Sequence, residues 1–311
     1  MNNLCWVEII NLLNASLNDA LGEEYGKIIF LSQSTLVLDG VSVFKIYNKA
    51  NKLYAVALCS STVSPNLVMR TMHNGKQVKK LLNASTAKHV IEPLFEGKVK
   101  ELTYSVLPYC YELSKSRIYR KLQNIFLKPI IFEWVLNITK DSAKSIDQTV
   151  TRSSFIQPLQ HLASLNYLSN EVRIKALSAI ERASTKAWQP KHVVMHGDLW
   201  AGNILLRANA NIFNTIKPYD NFVITDWAGS EVNGYAIYDL IRIAESLNLR
   251  TDKLKVEVEK HCKLLNCDLI DAYSYLLAAL GFIALNLEHF PVEKFTRMAE
   301  SCFSTLSKAI E

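Results

Sequence analysis

What this sequence lacks narrows its class before any motif is read. Its six cysteines contain no Cys-x-x-Cys pair, the closest two being Cys262 and Cys267. Neither a disulfide framework nor a thiolate zinc site is therefore expected, and the usage fits a reducing compartment. No apolar run reaches the roughly 20 residues that a bilayer-crossing helix needs. The most apolar one, "YLLAALGFIALNL" (Tyr275–Leu287), reads as a buried core helix. The first residues show neither a basic n-region nor a small-residue cleavage site, so no signal peptide is expected and the expected location is the cytoplasm. Low-complexity tracts and internal repeats are missing too. With 49% hydrophobic residues, the chain has the material for a substantial core, which excludes a disordered protein. At 311 residues that core can belong to one large domain or to two lobes.

Charge is also missing from particular places. The net charge is +6, yet residues 231–311 hold 9 Lys+Arg against 12 Asp+Glu, so the surplus lies upstream. Its densest piece is "SKSRIYRKLQNIFLKPIIF" (Ser114–Phe132), with five basic residues and no acid. This is either a solvated helix face or a surface for an anionic partner, such as a phosphorylated substrate or a membrane headgroup. The basic residues are not interleaved with stacking aromatics in any recognised module, so no nucleic-acid partner is expected.

Up to Leu107 the sequence reads as a small, strand-rich lobe. An amphipathic helix opens it, followed by "IIFLS", "TLVLD" and "VSVFKIY", the last two joined by a hairpin signal at Asp39-Gly40. A helix is expected over 66–82, then strands in "HVIEPLFE" and "LTYSVLPY". From 108 to 311 the pattern is mostly helical, broken by "HVVMHGDLWAGNILL" and "NFVITDWAG". The expected fold class is thus α+β, with lobes 1–107 and 108–311 and a cleft between them. "RANANIFNTIKPYDN" reads as a loop between two short strands. That loop would bring Asp198, Asn203 and Asp226 together on neighbouring segments. Two carboxylates and an amide make an oxygen-rich site suited to Mg²⁺ and not to zinc.

His196-Gly197-Asp198-Leu199 followed by Asn203, with "VITDWAG" and "YDLIRI" downstream, resembles the aminoglycoside phosphotransferase/choline kinase family. The Asp-to-Asn interval matches the catalytic loop of protein kinases. The resemblance runs in order along nearly the whole chain and implies a two-lobed, protein-kinase-like fold that uses ATP and Mg²⁺. It implies Asp198 and His196 as the catalytic-loop pair, with Asp198 taking or orienting the acceptor's proton and His196 bracing the loop. Asn203 and Asp226 would hold Mg²⁺, Asp239 would anchor the loop, and Gly197 and Gly202 would permit tight turns. Lys45 would pair with the nucleotide's phosphates. In place of a Gly-rich phosphate loop stands "LSQST", with Ser32, Gln33 and Ser34 as candidate phosphate contacts. The family's helix glutamate is missing as well, because no acid lies between Asp39 and Glu92. Gln77 occupies the corresponding place. The implied activity is phosphate transfer from ATP to a hydroxyl of a small-molecule acceptor: a sugar, amino alcohol, aminoglycoside or glycolipid headgroup, anionic if the basic segment serves it. The missing acid leaves open a second reading, an inactive nucleotide-binding scaffold.

Overall fold

The computed structural model describes residues 6–22, 25–33, 40–207, 221–287 and 290–311. Helix α1 (Trp6–Leu21) buries Ile9, Leu13 and Leu17, one stripe at four-residue spacing. That stripe packs on a five-stranded antiparallel sheet made of β1 (Lys27–Gln33), β2 (Ser42–Tyr47), β3 (Leu53–Cys59), β4 (Phe95–Val99) and β5 (Leu102–Pro108). The strand order is β1-β2-β3-β5-β4. Phe44, Ile46, Ala55, Ala57, Tyr104 and Val106 complete this first core.

Helix α2 (Leu67–Leu81) follows Asn66 as expected, and α3 (Ala84–Ala87) is capped by the Asn83 side chain, which accepts from the Thr86 N–H. Val78, Leu82, Ala87 and Val90 pack with the second, larger core. The stretch 78–90 therefore ties the sheet to the rest of the molecule. Two expectations change here. "HVIEPLFE" is not a strand until Phe95: the backbone of 89–91 instead bonds Ile224, with Ile224 N–H to His89 O at 2.7 Å and Ile91 N–H to Ile224 O at 3.2 Å. β3, "LYAVALC", is a central strand that the sequence did not announce. "TLVLD" and its hairpin lie outside the described residues.

The remainder holds β6 (Cys110–Glu112), α4 (Arg117–Ser142), β7 (Lys144–Ser145), α5 (Gln148–Thr151), α6 (Gln157–Ser164) and α7 (Asn170–Ser184). Strands β8 (Lys191–Met195), β9 (Ile204–Arg207), β10 (Phe222–Ile224) and β11 (Glu231–Gly234) follow. Helices α8 (Tyr238–Ser246), α9 (Thr251–Leu265), α10 (Asp271–Leu285) and α11 (Val292–Ile310) end the chain. Two small sheets, β10-β9-β6 and β11-β8-β7, stand beside a helical core. In that core, every residue of 271–281 is buried, as expected of the most apolar run. Among the described residues no helix is long and apolar enough to cross a membrane.

Candidate active site

The stretch after β8 mixes apolar and polar residues because each set has a separate task. Val193, Val194, Met195, Leu199, Ala201, Ile204 and Leu206 are buried in the larger core. They fix the loop 196–203, and the His196 and Asn203 side chains in it are held by backbone. Asp239, in the first turn of α8, accepts the His196 N–H at 2.5 Å and the Gly197 N–H at 3.1 Å. Burial raises its pKa to about 7, against the pull of those two N–H groups. His196 Nδ1 faces the Asp198 N–H at 3.3 Å, so its other nitrogen, Nε2, is the protonated one and donates to Thr225 O at 2.9 Å. Burial pushes the ring's pKa down to about 4. A neutral imidazole with both nitrogens engaged by backbone is a brace.

Gly197 has φ +84°, and a Cβ there would stand 2.3 Å from Gly229 O. Only glycine lets the loop cross the 227–229 turn so closely. Gly202 is not the expected turn glycine; it makes room for the Trp200 ring, which a Cβ would meet at 2.3 Å.

Register brings the metal candidates together. Ile204 pairs with Ile224, which sets Asn203 against Thr225, whose N–H donates to Asn203 O at 3.0 Å. Asp226 comes next, at φ +63°, a left-handed conformation that Asp tolerates better than most side chains. Asn203 Nδ2 donates to Asp198 O at 2.8 Å, which leaves its Oδ1 as the atom able to ligate a cation. The Asp226 carboxyl keeps a solvent-exposed side, yet surrounding protein removes part of its hydration. That burial, followed by the charge of Asp198, raises its pKa, while the Ala228 N–H opposes the shift. No group of three or more His, Cys, Asp or Glu able to hold a metal occurs among the described residues. One carboxylate plus one amide oxygen is nevertheless a donor set that Mg²⁺ accepts when phosphate oxygens and water complete its shell.

Trp227 is buried against the His196 ring at 4.5 Å between centroids, and its Nε1–H donates to Ile224 O at 3.1 Å. Helix α2 rests on this turn, with Asn74 Nδ2 donating to Ala228 O at 3.2 Å. One turn on, Gln77 meets His73 Nε2 at 3.5 Å and lines a cavity of about 290 Å³ with Ser230 and Glu231. It forms no hydrogen bond with Lys45. Lys45 lies opposite Ile29 and Val56, on the sheet face away from the buried Phe44 and Ile46. Ser32 and Gln33 end β1, paired with Val43 and Ser42; Ser34 lies outside the described residues. One residue escaped the sequence reading, Arg242. It sits three positions after Asp239 on α8, with Nη2 3.6 Å from Asp198 Oδ1. Its i, i+3 spacing from the loop anchor was the available signal.

No family model matches the chain, and no curated protein matches it. Solved structures do. A choline/ethanolamine kinase family protein from Mesorhizobium loti is similar over 97% of this chain and 94% of its own, at 13% identity and TM-score 0.50. The choline kinase LicA from Streptococcus pneumoniae is similar over 96% and 99%, at 12% identity and TM-score 0.50. This likeness spans nearly the whole chain and shows the fold that the sequence resemblance implied. The chain has the two-lobed, protein-kinase-like α+β fold of these choline kinase structures.

Proposed function

We propose that this chain is a small-molecule phosphotransferase of the aminoglycoside phosphotransferase/choline kinase family, moving the γ-phosphate of ATP to an acceptor hydroxyl. The observation that supports it best is the convergence of Asp198, Asn203 and Asp226 through the Ile204–Ile224 register. Phosphoryl transfer needs mainly positioning and charge neutralisation, and this arrangement offers both. Asp198, half exposed at the loop's open side, orients the acceptor hydroxyl and takes its proton. His196 and Asp239 hold the loop. Asn203 and Asp226 would hold Mg²⁺, which supplies positive charge against the phosphates. Lys45, with Ser32, Gln33 and Ser34 at the end of β1, would meet the nucleotide's phosphates from residues 1–107. Residues 108–311 would carry the catalytic loop and the acceptor site, and the cytoplasm is the proposed location.

One observation favours a second reading, a nucleotide-binding scaffold without turnover. The helix position that would hold an acid carries Gln77, whose partner is His73. Two measurements separate the readings. Mg²⁺-dependent thermal stabilisation by ATP is expected under both; ATP turnover with pooled hydroxyl acceptors is expected only of the enzyme. Asp198→Asn should then cut turnover by about 100-fold or more, the usual worth of a positioned base, while ATP binding persists. Near-normal turnover in that variant would sink the assignment.

A further inference from the structure

Arg242 has no part in the mechanism above, and its setting is odd for a structural arginine. Its side chain is 23% exposed. It approaches Asp198 only to 3.6 Å and Glu245 only to 3.8 Å. Its Nε is buried without an acceptor. Arg182 shows what a structural arginine does in this same molecule: it grips Asp271 at 2.7 and 3.1 Å and Asp268 at 2.9 Å. Glu245 is held toward α11 instead: its Oε1 accepts from Ser301 at 2.7 Å and Thr305 at 2.8 Å, and its Oε2, the oxygen nearer Arg242, stays 3.8 Å away and also meets Cys302 Sγ at 3.8 Å. Buried donors are normally paired, and a guanidinium beside a proton acceptor lowers the basicity that acceptor needs. The placement makes sense if a further anion enters. A planar guanidinium fork fits a carboxylate or phosphate with two parallel N–H donors.

We propose that Arg242 is a specificity-determining residue that binds an anionic group, phosphate or carboxylate, on the acceptor while the acceptor hydroxyl meets Asp198. This rests on the phosphotransferase reading and names its substrate class. An amine or quaternary ammonium would face a like charge at the place where its hydroxyl must dock. The approach to the site has matching charge. α4 begins with the exposed Arg117 and Lys121 shortly after β6, whose Glu112 pairs with Leu205, two residues beyond Asn203. A basic approach raises the local concentration of anions and their on-rate.

The test uses the full chain saturated with Mg²⁺ and a non-hydrolysable ATP analogue for binding, and with Mg²⁺-ATP for turnover. The acceptor panel is matched: glycerol, glycerol 3-phosphate and glycerate; glucose, glucose 6-phosphate and glucuronate; ethanolamine and choline. The expected result is binding and turnover of anionic members in preference to neutral and cationic ones, with the phosphate and carboxylate arms telling the two anions apart. Arg242→Gln should weaken the anionic members by about 10- to 100-fold in KM, the span of a hydrogen bond to a charged group. Mg²⁺-ATP stabilisation should stay unchanged, which also shows that the variant folds. Arg242→Lys, a point charge without the fork, should recover only part of the loss. Preference for neutral or cationic members, no binding of any anionic member, or an equal loss across the panel in Arg242→Gln would each overturn the proposal. If Mg²⁺-ATP stabilises neither wild type nor variant, the phosphotransferase reading fails first and takes this one with it.

Discussion

Replacing Gly197 by alanine tests the loop crossing that shapes this site. Two costs can be worked from the geometry. An L-residue held at φ +84° costs about 1–2 kcal/mol relative to an ordinary conformation. The new Cβ would also stand 2.3 Å from Gly229 O, a backbone atom that cannot swing away as a side-chain tip can. Relieving such overpacking typically costs about 1–3 kcal/mol. Together these predict a loss of roughly 2–5 kcal/mol, or a fall in Tm on the order of 5–15 °C for a chain of this size. Gly229→Ala is the internal control. Its Cβ would find nothing closer than 4.0 Å, so Tm should hold within a degree or two or rise slightly, as Gly→Ala changes do where the backbone allows them. Differential scanning calorimetry of both variants decides the matter. An unchanged Gly197→Ala, or a Gly229→Ala that falls as far, would refute the reasoning.

Three further outcomes are expected. Asp226→Asn should erase the Mg²⁺ dependence of ATP binding while keeping the fold, because Asn also tolerates a left-handed backbone; titrating ATP with and without Mg²⁺ checks it, and an unchanged dependence counts against the metal role. His196 takes up a proton near pH 6.5 when unfolded but only near about 4 when folded. Its stabilising contribution is therefore present above pH 6.5 and lost as pH falls through that window, by about 3 kcal/mol at the acid end. The stability gap between wild type and His196→Gln should shrink from pH 7 to pH 4 in denaturant titrations, and a constant gap would contradict this. Asp239, with its raised pKa, acts in the opposite sense in both proteins and drops out of the difference. Finally, replacing Arg117, Arg120 and Lys121 together by Gln should raise the acceptor KM and flatten its salt dependence, since exposed charges act over roughly 10 Å at 0.1 M salt. Kinetics that the triple variant leaves untouched would make this segment an ordinary solvated helix face.

Local signals were legible where one segment alone determines structure. The helix after Asn66 and the apolar helix at 271–285 carry their own periodicity, breakers and length. The loop 196–203 carries its own chemistry, because charged and amide groups inside an apolar run need a reason. Pairings between distant segments were not legible. "HVIEP" has strand composition, but its backbone groups are taken by Ile224, over 130 residues away. β3 has few turn markers of its own, and only β2 and β5 on either side make it a strand. Gln77 looked like a partner for Lys45 by position on α2, yet its environment is set by the 227–231 segment beneath that helix. Arg242 offered only its i, i+3 spacing from Asp239 as a local hint, and its approach to Asp198 depends on where α8 packs against the loop.

The polar groups of the site fall into two sets, and the division explains how a carboxylate-rich centre can be built into a stable fold. Asp239, both nitrogens of His196 and the Nδ2 of Asn203 are engaged by backbone at 2.5–3.3 Å. They fix geometry and have little left to offer a ligand. Asp198, Asp226, the Oδ1 of Asn203 and Arg242 are the reverse. Asp198 is half exposed with only a long ion pair, Asp226 is raised in pKa by burial and by Asp198, and Arg242 keeps an unpaired buried donor. A positive φ at Asp226 and at Ile237, before and after β11, adds strain at the same place, and for a β-branched residue such as Ile237 a positive φ is a true outlier. Strain and unmatched charge of this kind persist only where the surrounding structure over-determines them, and here the buried strands and Trp227 do so. The under-satisfied set is then the ligand-facing one: a carboxylate for a hydroxyl, a carboxylate and an amide oxygen for a divalent cation, a guanidinium for an anion.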